Sequence, residues 1–164
     1  MCKLFSVKHE GFWCYTCRKG TRRFKQLEFM VQTHLDQHPL LSMYTYYDQT
    51  LPCAPNNRRP DFTYILADRI IILEVDEDAH RYYARGCETA RITELMEQAG
   101  TKPLLLLRFN PTKTRLPEMQ SALLRMMDMP IDRLLHVEFI GYNEKAYDVI
   151  ADIERLGQQM ILAM

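Results

Sequence analysis

Asp61-Phe-Thr-Tyr-Ile-Leu66-Ala-Asp-Arg69-Ile-Ile-Ile-Leu-Glu74-Val-Asp76 is the stretch on which the fold turns. Two short apolar runs, Phe62 to Leu66 and Ile70 to Val75, flank the polar break Ala67-Asp68-Arg69. β-Branched and aromatic runs on either side of a tight polar break read as a hairpin. A turn at Ala67-Asp68 pairs 66 with 69 and 65 with 70, and so sets 61 opposite 74. Directly opposed residues project from one face, and alternation along a strand puts Asp76 on the face of Glu74. Asp61, Glu74 and Asp76 therefore converge at one end of the hairpin. Like charges held this close destabilise a sheet unless a cation or protons offset them. Hard oxygen ligands of this kind suit Mg²⁺ or Mn²⁺. The structural alternative is that Asp61, after Pro60, caps a turn while Glu74 pairs with an arginine.

Outward from the hairpin, the pattern alternates between strand and helix. Upstream, Phe24, Leu27, Phe29, Met30, Val31 and Leu35 recur at helical spacing from Arg22 to His38, before Pro39. Residues 40–50 read as a strand and 51–60 as a loop. Downstream, a helix fits Cys87 to Ala99 with Gly100 as its stop, followed by a buried strand from Leu104 to Phe109. A helix at about 116–128, a strand from Leu134 to Tyr142 and a helix at about 143–156 complete the order. This succession predicts an α/β fold, a mixed central sheet flanked by helices. Residues 1–21 read as a small N-terminal knob and 22–164 as the main domain. Residues 110–164 complete the core or form a dimer surface.

The chain has 164 residues, 47% hydrophobic and 26% charged, which excludes wholesale disorder and suits one domain with its own core. No apolar run is long enough to span a bilayer, and the N-terminus lacks a signal core. We expect an intracellular protein that is not secreted, with no membrane partner. Zero formal net charge conceals a division. Residues 1–60 hold nine Lys/Arg against four Asp/Glu, whereas residues 61–100 hold four against nine. A basic region beside an acidic knot suits a polyanion and a cation-binding centre; two solvated faces would look the same by charge alone. The five cysteines, in a reducing compartment, read as reduced or metal-bound. Cys14 and Cys17 form half a zinc site, which Cys2 and His9 would complete within the knob, or Cys53 or Cys87 in space. A tight turn with two plain thiols is the alternative.

One run of residues carries a further resemblance. Arg59-Pro60-Asp61-Phe62, then Glu74-Val75-Asp76 and His80, resembles the core of PD-(D/E)xK nucleases. It is most similar to the branch holding very-short-patch repair endonucleases and related proteins of bacteria and large DNA viruses. Glu28 on the first helix, Glu88-Thr-Ala-Arg91 and Leu107-Arg108-Phe109 extend the likeness over roughly residues 22–110 in order and spacing. It implies a restriction-endonuclease-like fold and a metal-dependent DNA endonuclease, of the kind that includes nickases and repair, recombination and junction enzymes. Glu28, Asp61, Glu74, Asp76 and His80 would be catalytic, with Asp61 and Glu74 holding Mg²⁺ or Mn²⁺. Arg58, Arg59, Arg91 and Arg108 would contact nucleic acid, DNA in preference to RNA. Tyr82 and Tyr83 would either stack on bases or join the core.

The chain departs from the family where a lysine usually follows the second acid. Asp76 stands there, and no lysine lies between Lys25 and Lys102. His80 or water activated by the ion must then serve as the base. The departure keeps two other functions open: a catalytically silent nucleic-acid-binding module on a nuclease scaffold, and an RNA-processing nuclease.

Overall fold

The computed structural model describes residues 15–52, 55–76 and 85–142, apart from the side chains of 15–25, 85–89 and 113. At its centre, β2 (Phe62–Ile65) and β3 (Ile70–Val75) pair antiparallel. Ile65 lies opposite Ile70 and Phe62 opposite Leu73, while the Leu66 amide donates to the Arg69 carbonyl at 2.9 Å. The turn is the expected Ala67-Asp68 pair. One step beyond the ladder, the same register sets Asp61 against Glu74.

β1 (Tyr46–Tyr47) adds antiparallel to β2, and β4 (Leu104–Phe109) and β5 (Leu135–Ile140) add parallel to β3. The result is an open, mixed sheet in the order β1-β2-β3-β4-β5. Among the described residues three helices cover it: α1 (Tyr15–Asp36), α2 (Arg85–Ala99) and α3 (Leu116–Asp128). Strand alternation sorts the core into two. Ile71, Leu73, Leu105 and Leu107 pack with Val31 and Leu35 of α1 and with Met119, Leu123 and Met126 of α3. Ile70, Ile72, Leu104 and Leu106 pack on the opposite face with Ile92, Leu95 and Ala99 of α2. Burial on both faces is why β3 and β4 are apolar nearly throughout. The α/β fold expected from sequence is thus present.

The crossovers β3–α2–β4 and β4–α3–β5 step the same way across the sheet, yet their helices lie on opposite faces. They must therefore have opposite hands, one of them against the usual right-handed preference. Arg69, in the hairpin turn, braces this arrangement. Its Nη1 donates to the carbonyls of Met126 and Met129 at 3.0 and 2.6 Å, at the C-terminus of α3. Asp68 accepts from its Nε and Nη2 at 3.0 and 2.8 Å.

Three boundaries differ from expectation. Helix α1 starts at Tyr15 rather than Arg22, so part of the expected knob, Cys17 included, is helical backbone. The expected strand over 40–50 shrinks to Tyr46–Tyr47, and Leu41–Met43 forms a 3-10 turn instead. Here the aromatics serve packing: Tyr44 and Tyr47 lie 5.4 and 5.0 Å from the Phe62 ring. The strand expected through Tyr142 ends at Ile140 because Gly141 turns the chain at φ +84°. The helix expected from 143 onward lies outside the described residues. Among the described residues no helix is long and apolar enough to cross a membrane.

Candidate active site

The α2-side face of β3 reads Ile70, Ile72, Glu74, Asp76: apolar where α2 covers it, acidic at its C-terminal end. On β4 the same face reads Leu104, Leu106, Arg108, with Arg108 in register with Glu74. Open α/β sheets form their ligand crevices beyond the C-terminal ends of parallel strands. The polar residues of this face sit at that end.

Asp61 lies just before β2, and its Oδ2 accepts the Val75 amide at 2.7 Å. Its backbone is anchored as well, since the Asp48 amide donates to the Asp61 carbonyl at 2.9 Å. Asp48 adopts φ +47°, and its carbonyl accepts from Nε and Nη2 of Arg59 at 2.9 and 2.6 Å. Arg59 also pairs with the Asp48 carboxylate at 3.0 Å. Arg59 therefore fixes the turn that seats Asp61.

Glu74 is 2% exposed; Nη2 of Arg91, on α2, donates to its Oε2. Its Oε1 is buried with no hydrogen-bond partner among the described residues. Asp76, equally buried, accepts at Oδ2 from Nε of Arg108 and from the Tyr142 hydroxyl. The Tyr142 ring meets Phe139 edge-on at 5.1 Å. Glu28 of α1 accepts from the Tyr47 hydroxyl, and its charge reaches Asp61. Four of the five expected catalytic residues thus gather at one end of the sheet.

Their electrostatics follow from burial. The Asp61 carboxyl is raised well above the usual range, first by burial and then by the charge of Glu74, against the pull of the Val75 N–H. Burial raises Glu74 too, outweighing the guanidinium groups of Arg91 and Arg108. Tyr47 is raised by burial and by its bond to Glu28. Two guanidinium ions thus face Glu74 and Asp76, while Asp61 has no ion-pair partner among the described residues.

The expected phosphate-contacting arginines part company. Arg58 pairs with Glu94 of α2, and Gln98 holds the Arg58 carbonyl at 2.9 Å. Arg58 and Arg59 both remain substantially exposed. Arg91 lies at the rim. Arg108 is 1% exposed and paired with Asp76, whereas the resemblance implies contact with nucleic acid. Its place is beneath the acids, compensating them.

His80, Tyr82, Tyr83, Cys2, His9, Cys14 and Cys53 lie outside the described residues. Cys17, Cys87 and Glu88 fall in helices whose side chains there are not described. Tyr47, Asp48 and Tyr142 belong to the site but were not singled out from sequence. Nothing local marks them beyond Gly141, which turns Tyr142 back toward Asp76.

Among the described residues no three His, Cys, Asp or Glu side chains form a preassembled metal cluster. Glu74 nevertheless offers a buried carboxylate oxygen with no partner among the described residues, and Asp61 lies in register with it; hard oxygen donors of this kind are the type a divalent ion takes. No family model, curated protein or solved structure matches this chain.

Proposed function

We propose that this chain is a divalent-metal-dependent nuclease acting on nucleic acid, DNA foremost, with a restriction-endonuclease-like core. The observation that carries the reading is the unsatisfied Oε1 of Glu74 in a buried acidic cluster at the C-terminal end of the sheet. A buried acceptor without a partner is costly in water-free surroundings, and it persists where a ligand supplies the missing contact. Asp61 and Glu74 would hold Mg²⁺ or Mn²⁺, which when bound supplies Lewis-acid polarisation of a phosphodiester and lowers the pKa of water.

The chain's own residues frame that chemistry. The Val75 amide and the Asp48 turn hold Asp61 in place. Arg108 and Tyr142 fix Asp76, and Tyr47 fixes Glu28. Arg58 and Arg59, exposed on the loop before Asp61, are available to backbone phosphates, which gives affinity without sequence choice. His80 fills the proton-transfer role in this reading, and the cysteines near the N-terminus would hold a structural zinc.

Cleavage of duplex, single-stranded, mismatched and branched DNA, with matched RNA alongside, tests the proposal under Mg²⁺ and Mn²⁺. Hydrolysis should be lost in Asp61→Ala and Glu74→Ala while salt-sensitive binding survives. An inert wild type on every substrate with both ions ends the reading. The pairing of Glu74 and Asp76 with arginines favours a second one, a silent binding module on the same scaffold. That module would bind nucleic acid without turnover, and Mg²⁺ would leave its melting temperature unchanged.

A further inference from the structure

The pair between Arg91 and Glu74 is half made. An arginine facing a carboxylate ordinarily closes two parallel hydrogen bonds. Here only Nη2 to Oε2 is formed. Oε1 of Glu74 and Nε of Arg91 are both buried, and neither has a partner among the described residues. One acceptor suited to a cation and one donor suited to an anion are thus left over at the same spot.

The two arginines of the site differ in their freedom to respond. Arg108 is 1% exposed, on the central strand β4, beneath Asp76. Arg91 is 23% exposed and reaches in from α2 at the rim. A divalent ion at Glu74 would stand against the Arg91 guanidinium, and two cations at one carboxylate repel each other. Of the two, the partly exposed Arg91 is the better placed to move.

We propose that Arg91 is a resident counter-cation for Glu74, displaced when a divalent ion binds, whereupon its guanidinium is released toward a phosphate oxygen of the substrate. The inference rests on the metal-site reading above. In the ion-free protein Arg91 neutralises Glu74 and so lets the acidic cluster exist in a folded chain. With the ion bound, the same side chain becomes a donor for an anion at the rim. Ion and guanidinium are then competitors, and by linkage each weakens the hold of the other on Glu74.

Calorimetric titration of Mn²⁺ into wild type, Arg91→Met and Arg91→Lys reads this competition. Arg91→Met should bind Mn²⁺ about fivefold or more tighter than wild type. Arg91→Lys, which keeps the charge, should stay near the wild-type value. The melting temperature of Arg91→Met should fall without the ion, and Mn²⁺ should raise it by more than it raises wild type. Equal or weaker binding by Arg91→Met overturns the exchange while leaving the metal site standing. A wild type that binds neither Mn²⁺ nor Mg²⁺ overturns the nuclease reading itself, and this inference with it. Should Arg91→Met stay unfolded with and without Mn²⁺, the wild-type protein decides. The Arg91 Nε–H resonance, assigned by its absence in Arg91→Lys, should shift on Mg²⁺ saturation; an unmoved resonance rejects the displacement.

Discussion

Burial and the charge of Glu74 raise the pKa of Asp61, and the sign of that shift governs how the fold responds to pH. The folded chain binds this proton more tightly than the unfolded chain, so the contribution favours folding at low pH. It is lost as pH rises from the ordinary aspartate value, about 3.9, through the raised folded value. Asp61→Asn keeps an oxygen for the Val75 amide and removes the ionisation. Its melting temperature should exceed that of wild type at pH 7 and converge with it near pH 4. Thermal melts across that range check it; no gain at pH 7 would deny the burial cost. The buried charge of Asp76 is matched by Arg108. Truncating one partner of a buried pair leaves the other uncompensated, so Arg108→Met should cost about 3–5 kcal/mol in urea unfolding. Tyr142→Phe removes one hydrogen bond to a charged group and should cost about 1.5–3 kcal/mol.

The hairpin was legible because two residues of polar turn between apolar runs leave one register, and that register brings Asp61 to Glu74. β4 and α3 were legible for a related reason: an unbroken apolar run, and Met119, Leu123 and Met126 on one stripe. The start of α1 was not, since Tyr15 to Gly20 carries no apolar stripe and is helical without one. Nor was the role of Tyr142, which depends on how β5 ends. Gly141 sits at φ +84°, and a Cβ there would stand 2.5 Å from the Asn110 carbonyl oxygen. The Asn110 side chain in turn donates to the Gly141 carbonyl at 2.9 Å. Gly141→Ala should therefore destabilise the fold by about 1–3 kcal/mol and also loosen Tyr142 from Asp76. In a double-mutant cycle with Tyr142→Phe, the two costs should fall short of additive. Strict additivity would mean that the bend and the phenol act separately.

At the scale of the molecule, sequence conveyed the layering but not the handedness. Two helices of similar pattern cover opposite faces, and only the packing of Ile92 and Leu95 against one face and Met119 and Leu123 against the other tells them apart. The uneven charge of the chain is likewise a whole-molecule property that resolves into local pairs. Within the 61–100 stretch, Glu74 is met by Arg91 of the same stretch and Asp76 by Arg108 from outside it, across β3 and β4. Arg69 makes a connection of longer reach, joining the hairpin turn to carbonyls 57 and 60 residues away. A clasp between such distant parts closes only once strand β4 and helix α3 are already laid down, so it belongs to the last stage of folding. Stopped-flow measurements on Arg69→Ala should accordingly find refolding at the wild-type rate and unfolding faster by about tenfold or more. The bond would then act as a brake on escape from the native state and give the protein persistence in time without helping it form.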